Sequence, residues 1–550
     1  MSSENDMLCC GPKQVEPEIA TDDTPVVREV LGPASDLPNG AKKLYEVREK
    51  KILVVNDNNK YYATSGLCSH YNFPLDKGFY HNGKIRCPLH GACFNMKTGD
   101  IEDYPGFDNL HAFEVRKIDD NLVLFGTEKK FESNRRRKEA KSVKLIKDNP
   151  IIVVGSGPAA ANFIEHARIN GVNTPITMVT EEDVLPYDRV LLSKNPSVAI
   201  DGCRLRDDDY YKQHGVEIML NTKVTEVDTT RRQITTSNGG SVGYSKLVVA
   251  TGGSVRKLTI PGHGLNNIFY LRTLQDAHAI AEAVKDKHVV CIGGSFIGLE
   301  IAASTYKLAA SVTVLSSSLE PLPAFGNEIG AAVRKRFEAK GIKIICSAQA
   351  AEIQGTTEVT GVTLRDGTEL PADVVIAGIG VLPNTDFLKS SNIKLDKRGF
   401  IPVDKHFRTN VDWVYAIGDV CAAPIDRWNL DSHNIQHFQT AQSHGEHLGY
   451  SIVGKPVPKP LVPFFWSVFF YEFGVAFSGV ATGDEETFIR GDVDEMNFVK
   501  YYFKDNKVVA VAGAGPRFVP QQMITIFQKN KIITKDDVLQ NETDDWQKFF

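Results

Sequence analysis

The chain has no uninterrupted apolar run near the roughly 20 residues that a membrane-spanning helix needs. The nearest stretch, "LVPFFWSVFFYEFGVAFSGV" (Leu461 to Val480), is broken by Pro463 and Gly474 and carries Glu472, so it reads as buried strands. No leader is expected either. "MSSENDMLCCGPKQVEPEIATDDTP" has no basic start followed by an apolar core, as a secretory signal would, and it is acidic and poor in arginine, unlike a mitochondrial transit peptide. Basic excess is missing: 63 Lys and Arg stand against 68 Asp and Glu, a net charge of −5, which argues against a nucleic-acid partner. No two cysteines form a Cys-x-x-Cys pair, so the thiol relay of disulfide chemistry has no sequence basis. Nine scattered cysteines without an export signal point to a reducing compartment.

What is present changes character along the chain. Residues 1–24 read as a disordered tail, with acylation of Cys9 and Cys10 on a membrane surface as the alternative. Residues 25–127 alternate short β-type runs ("KILVV", "HAFEVR", "NLVLFG") with Gly, Pro, Asn and Asp turns, an all-β pattern. A strongly charged segment, 128–148, reads as a solvated linker. Beyond it, "IIVVGSGPAAANFIEHARING" and "HVVCIGGSFIGLEIAASTYKLAA" each run from apolar strand through a glycine turn into a helix, which predicts two dinucleotide-binding folds. After Lys455 the aromatic-rich alternation predicts a separate α+β domain.

Three constellations carry chemistry. In "CSHYNFPLDKGFYHNGKIRCPLH", Cys68 and His70 form one pair and Cys87 and His90 another. A zinc finger separates a Cys half from a His half. Here each half mixes one Cys with one His, as two loops gripping a two-iron cluster would, with both Cys on one iron and both His on the other. "CSH", "PLDKG", "CPLHGACFNMKTGD" and "GDIEDYPGFDNLHAFEVR" resemble a Rieske [2Fe-2S] domain. The extra loop cysteines of the respiratory type are missing, and Cys93 has no partner in the other loop, so the resemblance is to the ferredoxin-like type. His81 and His111 are expected to be packing or surface residues.

The second constellation begins at Gly155, Gly157 and Ala160, which follow "IIVV" and open a helix whose N–H groups suit a pyrophosphate. Glu181 and Glu182 then follow the second strand, placed to hold a ribose. "LPYDRVLLSK", "VVATGG" and "WVYAIGDV" complete a set that resembles the flavoprotein reductases of ferredoxins and rubredoxins and the related apoptosis-inducing factor family. That resemblance implies FAD, with Arg189 and Lys194 in contact with it and Asp419 on the ribityl chain. It also implies Val224, Thr251, Gly252 and Arg272 lining the site, a helix opening at His437 and Phe438 aimed at the flavin, and Trp466 as a wall. The third constellation, Gly293, Ser295 and Gly298, matches the NAD-binding insert of the same reductases. There Glu300 is expected to face the nicotinamide, to pair with Lys194 and to share the catalytic role with it, and Gly380 to line the cleft. Ser295 stands where a middle glycine is usual, and Ser316, Ser317 and Ser318 end the strand where an acid would select NAD(H) over NADP(H). A weakened preference for NADH is expected.

In this order the three sites resemble the Rieske-containing branch of the apoptosis-inducing factor family. The resemblance implies a multidomain chain: a small all-β Rieske domain, two α/β Rossmann-like nucleotide-binding domains, and a C-terminal α+β domain. Its boundaries would be FAD at 149–270 and 385–455, NAD(P) at 271–384, and the C-terminal domain at 456–550. The implied activity is an NAD(P)H-dependent oxidoreductase passing electrons through FAD to its own [2Fe-2S] cluster and on to an acceptor, a protein among the candidates. The alternatives are a redox-gated signalling protein and the reductase component of a separate oxygenase. A cytoplasmic location is expected, with association to a membrane surface or mitochondrion as the alternative.

Overall fold

The computed structural model describes residues 26–140 and 144–550. Cys9 and Cys10, and with them the acylation reading, lie outside the described residues. The β-type runs near the start close into two sheets. The larger is antiparallel, in the order Val26–Pro33, Asn121–Thr127, Ala112–Ile118, Lys60–Ser65, Lys50–Asp57 and Lys42–Val47. The smaller joins Phe79–His81, Lys84–Arg86, Cys93–Asn95 and Ile101–Asp103. The Cys68–His70 loop follows a strand of the first sheet, and the Cys87–His90 loop connects two strands of the second.

The next sheet is parallel, ordered Val216–Met219, Ile176–Val179, Ile151–Val154, Lys246–Val249 and Val414–Ala416. Its strands are near-continuous apolar runs because helices cover a sheet of this kind on both faces. The order in which strands are added reverses beside Ile151–Val154, which opens a crevice at the carboxyl ends of the strands. The last strand, Val414–Ala416, comes from beyond a second parallel sheet: Ile268–Phe269, Val374–Ala377, His288–Ile292, Ser311–Leu315 and Lys343–Ile345. The aromatic tail forms an antiparallel sheet, ordered Phe464–Phe469, Phe473–Gly479, Lys507–Ala514, Asn497–Lys504 and Glu486–Asp492, packed by the helix Val519–Gln528. The apolar stretch 461–480 thus forms strands, and among the described residues no helix is long and apolar enough to cross a membrane.

The charged segment after residue 128 departs from a solvated linker. Lys129–Glu132 is a helical turn whose Phe131 is buried in the core of the first sheet. Arg135 and Arg136 donate to the carbonyl oxygens of His70 and Leu110, and Lys138 is buried beside Glu165 and His166. Charge composition reports solubility of a free segment; here Arg135, Arg136, Arg137 and Lys138 find carbonyls or carboxylates on the domains to either side. The segment up to residue 140 therefore clamps the β domain to the nucleotide folds.

Candidate active site

The two ligand loops bring like to like. His70 Nδ1 and His90 Nδ1 stand 3.1 Å apart, and the Cys68 and Cys87 thiols lie within hydrogen-bonding reach of each other. Backbone N–H groups of His70 and Tyr71 face the Cys68 sulfur, and those of Leu89 and His90 face the Cys87 sulfur. N–H groups aimed at sulfur favour thiolate, the ligand form. Among the described residues no three or more His, Cys, Asp or Glu side chains gather round one point. Two pairs, one soft and one imidazole, fit a cluster in which each iron takes two protein ligands. Leu53, Val55, Leu75, Ile85 and Phe94 surround the cysteines with apolar packing. Burial pushes the His70 imidazole down to about 3, keeping it neutral. Arg86, 1% exposed, braces the second loop by donating to the Gly91 carbonyl (2.7 Å), Asp103 (2.6 Å) and Thr525 Oγ1 (2.9 Å).

Beside these loops lies a cavity of about 960 Å³. Its lining includes Gly155, Gly157, Glu181, Glu182, Arg189, Lys194, Val224, Thr251, Gly252, Arg272, Glu300, Asp419, His437, Phe438 and Trp466, with His70 at one edge. The site fits a dinucleotide. Gly155 has φ +109°, and a Cβ there would lie 2.4 Å from the Ala250 oxygen. A Cβ on Gly157 would meet nothing within 4 Å, so the helix Pro158–Ile169 opens onto free space, where its N–H groups suit a phosphate. Ala160 is fully buried beneath the turn. Arg189 Nε is buried without a hydrogen-bond partner, a donor waiting for an acceptor. Its Nη2 holds Glu182 at 2.8 Å. Burial pushes the Glu182 carboxyl up, but Arg189 and the Tyr187 hydroxyl outweigh it and hold it below the usual range. Glu181 is exposed and paired with Lys223 (3.2 Å). Asp419 is raised by burial, partly offset by Arg272 and Arg189. His437 precedes the helix Phe438–Ser451, and burial lowers it to about 4, so the imidazole is neutral.

Lys194 and Glu300 meet inside the cavity wall. Lys194 Nζ is 2.9 Å from Glu300 Oε2, both side chains 6% exposed. Ser193 Oγ donates to Glu300 Oε2 (2.5 Å) and Ser467 Oγ to Oε1 (2.7 Å), so the carboxylate is satisfied on both oxygens. Lys194 Nζ also stands 5.0 Å from the Trp466 ring centroid.

Trp466 links the two sites. One side lines the cavity, while its indole stacks on the His90 imidazole with centroids 3.6 Å apart and planes at 24°. Gln439, from the start of the helix Phe438–Ser451, donates to the His90 carbonyl (3.0 Å), and Gln521 donates to the Leu89 carbonyl (3.2 Å). Tyr71 donates its hydroxyl to Asp188 (3.0 Å). Asp188 and Ser193 fall inside the stretch "LPYDRVLLSK", Tyr71 follows His70 and Ser467 follows Trp466, but no motif gives these residues or Gln439 a role. Each works through a contact with a residue distant in sequence, so nearness to a motif residue is the one signal the sequence offers.

Gly293, Ser295, Gly298 and Gly380 lie outside the cavity lining; Phe296, Ile297 and Glu300 reach it from the same helix. Ser295 is exposed with φ −101°, a conformation open to any residue, so the serine causes no backbone strain. Ser316 is covered by Gly294, and Ser317 is the exposed residue at the strand end. Cys203, Cys291 and Cys421 are buried and free, whereas Cys346 is half-buried. His81 is buried against Phe550 and His111 is half-buried.

Residues 28–114 match the Rieske [2Fe-2S] domain, and residues 149–445 match the pyridine nucleotide-disulphide oxidoreductase family. The chain is 32% identical to apoptosis-inducing factor 3 of Homo sapiens over 92% of its own length and 84% of that protein. It is 30% identical to putidaredoxin reductase CamA of Pseudomonas putida over 66% of its length and 87% of that protein. Among solved structures, the covalent putidaredoxin reductase–putidaredoxin complex superposes with a TM-score of 0.68 at 28% identity, covering 72% of this chain and 96% of that one.

Proposed function

Because this chain belongs to the pyridine nucleotide-disulphide oxidoreductase family, in the Rieske-containing branch that includes apoptosis-inducing factor 3, we propose that it passes electrons from NADH into its own iron–sulfur cluster. It is an NAD(P)H-dependent flavoprotein oxidoreductase with FAD and [2Fe-2S] cofactors. FAD when bound takes a hydride and gives up electrons one at a time, which matches a two-electron donor to a one-electron acceptor. Gly155, Gly157 and Arg189 would hold its pyrophosphate end, and Asp419 and Glu182 its sugar groups. The neutral His437 and the N-terminus of its helix would favour negative charge on the reduced ring. Lys194, held by Glu300, would keep a positive charge beside the reacting edge without exposing it to water. Cys68, His70, Cys87 and His90 would hold the cluster.

The observation that carries the reading is the stack of His90 on Trp466, the wall of the flavin cavity. Electronic coupling falls steeply across empty space, and two overlapped rings leave none between the cavity and a cluster ligand. Putidaredoxin reductase is known in a covalent complex with a separate putidaredoxin; here the iron–sulfur module is part of the chain and sits against the cavity. Anaerobic titration with NADH, followed by visible and EPR spectra, tests the relay. Flavin bleaching with the appearance of a reduced Rieske signal is expected. A cluster that stays oxidised beside fully reduced FAD would overturn it and favour a sensor.

A further inference from the structure

The second ligand loop carries a buried charge of its own. The strand Lys84–Arg86 ends on Arg86, which directly precedes the ligand Cys87. Besides its bonds to Gly91, Asp103 and Thr525, its Nη2 donates to Gln528 Oε1 (3.2 Å). Gly91 in turn donates its N–H to the Cys87 carbonyl (3.1 Å), so Arg86 fastens the turn that carries the ligands. The guanidinium lies close enough to act on the sulfurs of Cys87 and Cys93.

This charge heads a chain of four. Asp103 Oδ2 accepts from Arg86, Asp103 Oδ1 pairs with Lys459 (3.1 Å), and Lys459 pairs with Glu446 (2.9 Å). Asp103 and Glu446 are buried, and the Lys459 side chain is 16% exposed. The signs alternate, and the positive end lies at the ligand loop. Glu446 stands about two turns along the helix Phe438–Ser451 from Gln439, which donates to the His90 carbonyl. One helix therefore holds both ends of the stretch from Arg86 to His90. The helix Val519–Gln528 holds it as well. Its Gln521, Thr525 and Gln528 share one face, at spacings of four and three residues. They meet the Leu89 carbonyl, Arg86, and Arg86 with Asp103, respectively. Charges enclosed in this way are screened little by salt.

We propose that Arg86, held in place by Asp103, Lys459 and Glu446, raises the reduction potential of the [2Fe-2S] cluster by keeping a positive charge beside Cys87. Arg86 is a positioning residue: it acts through the charge and the turn it holds, not as a ligand. Reduction adds one electron, and with it one negative charge, to the cluster, and net charge is among the terms that set the potential of such clusters. A fixed cation beside a thiolate ligand, away from water, favours the reduced form. Asp103 opposes that effect from one step further off, and Lys459 restores part of it by pairing with Asp103. The inference needs the cluster alone and does not rest on the relay from the flavin.

Titration of the full-length protein with dithionite and redox mediators, followed by the EPR signal of the reduced cluster, reads the potential without NADH. Arg86→Met is expected to lower the equilibrium constant for one-electron reduction about tenfold, a fall of about 59 mV. Arg86→Lys, which keeps the charge and loses the fork, should recover most of it. Asp103→Asn, whose amide oxygen can still accept from Arg86, should shift the constant the opposite way, about threefold. Lys459→Met should lower it, by less than Arg86→Met. A network with a merely structural role would move every variant in the same direction, since each change loosens the same loop. The proposal is overturned if Arg86→Met leaves the potential unchanged, if Arg86→Lys falls as far as Arg86→Met, or if Asp103→Asn lowers the potential. Should Arg86→Met lose its cluster, Asp103→Asn decides: a raised potential supports the proposal, and an unchanged or lowered one overturns it.

Discussion

At the scale of residues, the buried pair Lys194–Glu300 concentrates the site's electrostatics. Ion pairs taken out of water gain little net stability, yet removing one partner leaves a buried charge uncompensated. Lys194→Met is therefore expected to destabilise the chain by about 3 kcal/mol, the low end of the usual range because Ser193 and Ser467 still donate to Glu300. A fall in the urea midpoint reads this, and retention of FAD absorbance separates it from unfolding. Nucleotide choice also turns on one side chain. Ser316 is covered and Ser317 is exposed at the strand end. Ser317→Asp is expected to raise the ratio of kcat/KM for NADH to that for NADPH by about tenfold or more, through acceptance of ribose hydroxyls and repulsion of the 2′-phosphate. Equal change with both nucleotides would remove Ser317 from the binding site.

At the scale of elements, the contacts that dock the β domain are mostly polar. Arg206 reaches from the nucleotide fold to Glu165 (2.9 Å), Asp108 (2.8 Å) and the Phe107 carbonyl (2.9 Å). Lys459 bridges Asp103 (3.1 Å) and Glu446 (2.9 Å). Such buried pairs set register more than they add adhesion. Arg206→Met strands Glu165 with Lys138 at 3.6 Å and the Tyr210 hydroxyl at 3.2 Å. The expected cost is about 3–5 kcal/mol, expressed as looser docking. Flavin-to-cluster transfer should slow and protease cleavage near residue 140 should speed up, while the FAD spectrum stays the same. Cleavage at the wild-type rate would show that other contacts suffice. The strand–turn–helix units were legible in sequence because Gly155 and the runs "IIVV" and "HVVCI" are local signals. The docked course of residues 128–140 was not, because Phe131 and Lys138 find their partners across the chain.

At the scale of the whole molecule, one helix makes stability depend on acidity. Burial lowers His437 and His444 to about 4 and His447 to about 3. The unfolded chain takes up these protons near pH 6.5, before the folded chain does. Stability is therefore full above about pH 6.5 and declines as pH falls toward 4, with more protons bound in the unfolded state. The melting temperature should drop across this window, and free flavin fluorescence should appear at lower temperature, since the helix opens onto the cavity. A melting temperature constant from pH 7 to 5 would contradict this.

The sequence by itself determined the kinds of chemistry. Cys68 and His70 with Cys87 and His90, the glycine turns at 155 and 293, and the absence of a Cys-x-x-Cys pair are short-range patterns, and short-range patterns specify ligand type and turn geometry. Only the tertiary structure decided how these parts face one another. The stack of His90 on Trp466 spans hundreds of residues, and so does the bond from Gln439 to the His90 carbonyl. Packing, charge pairing and burial join such residues, and none of these leaves a periodic trace along the chain. For the same reason the sequence supplied a cluster motif and a flavin fold, while their juxtaposition across two stacked rings came only with the fold.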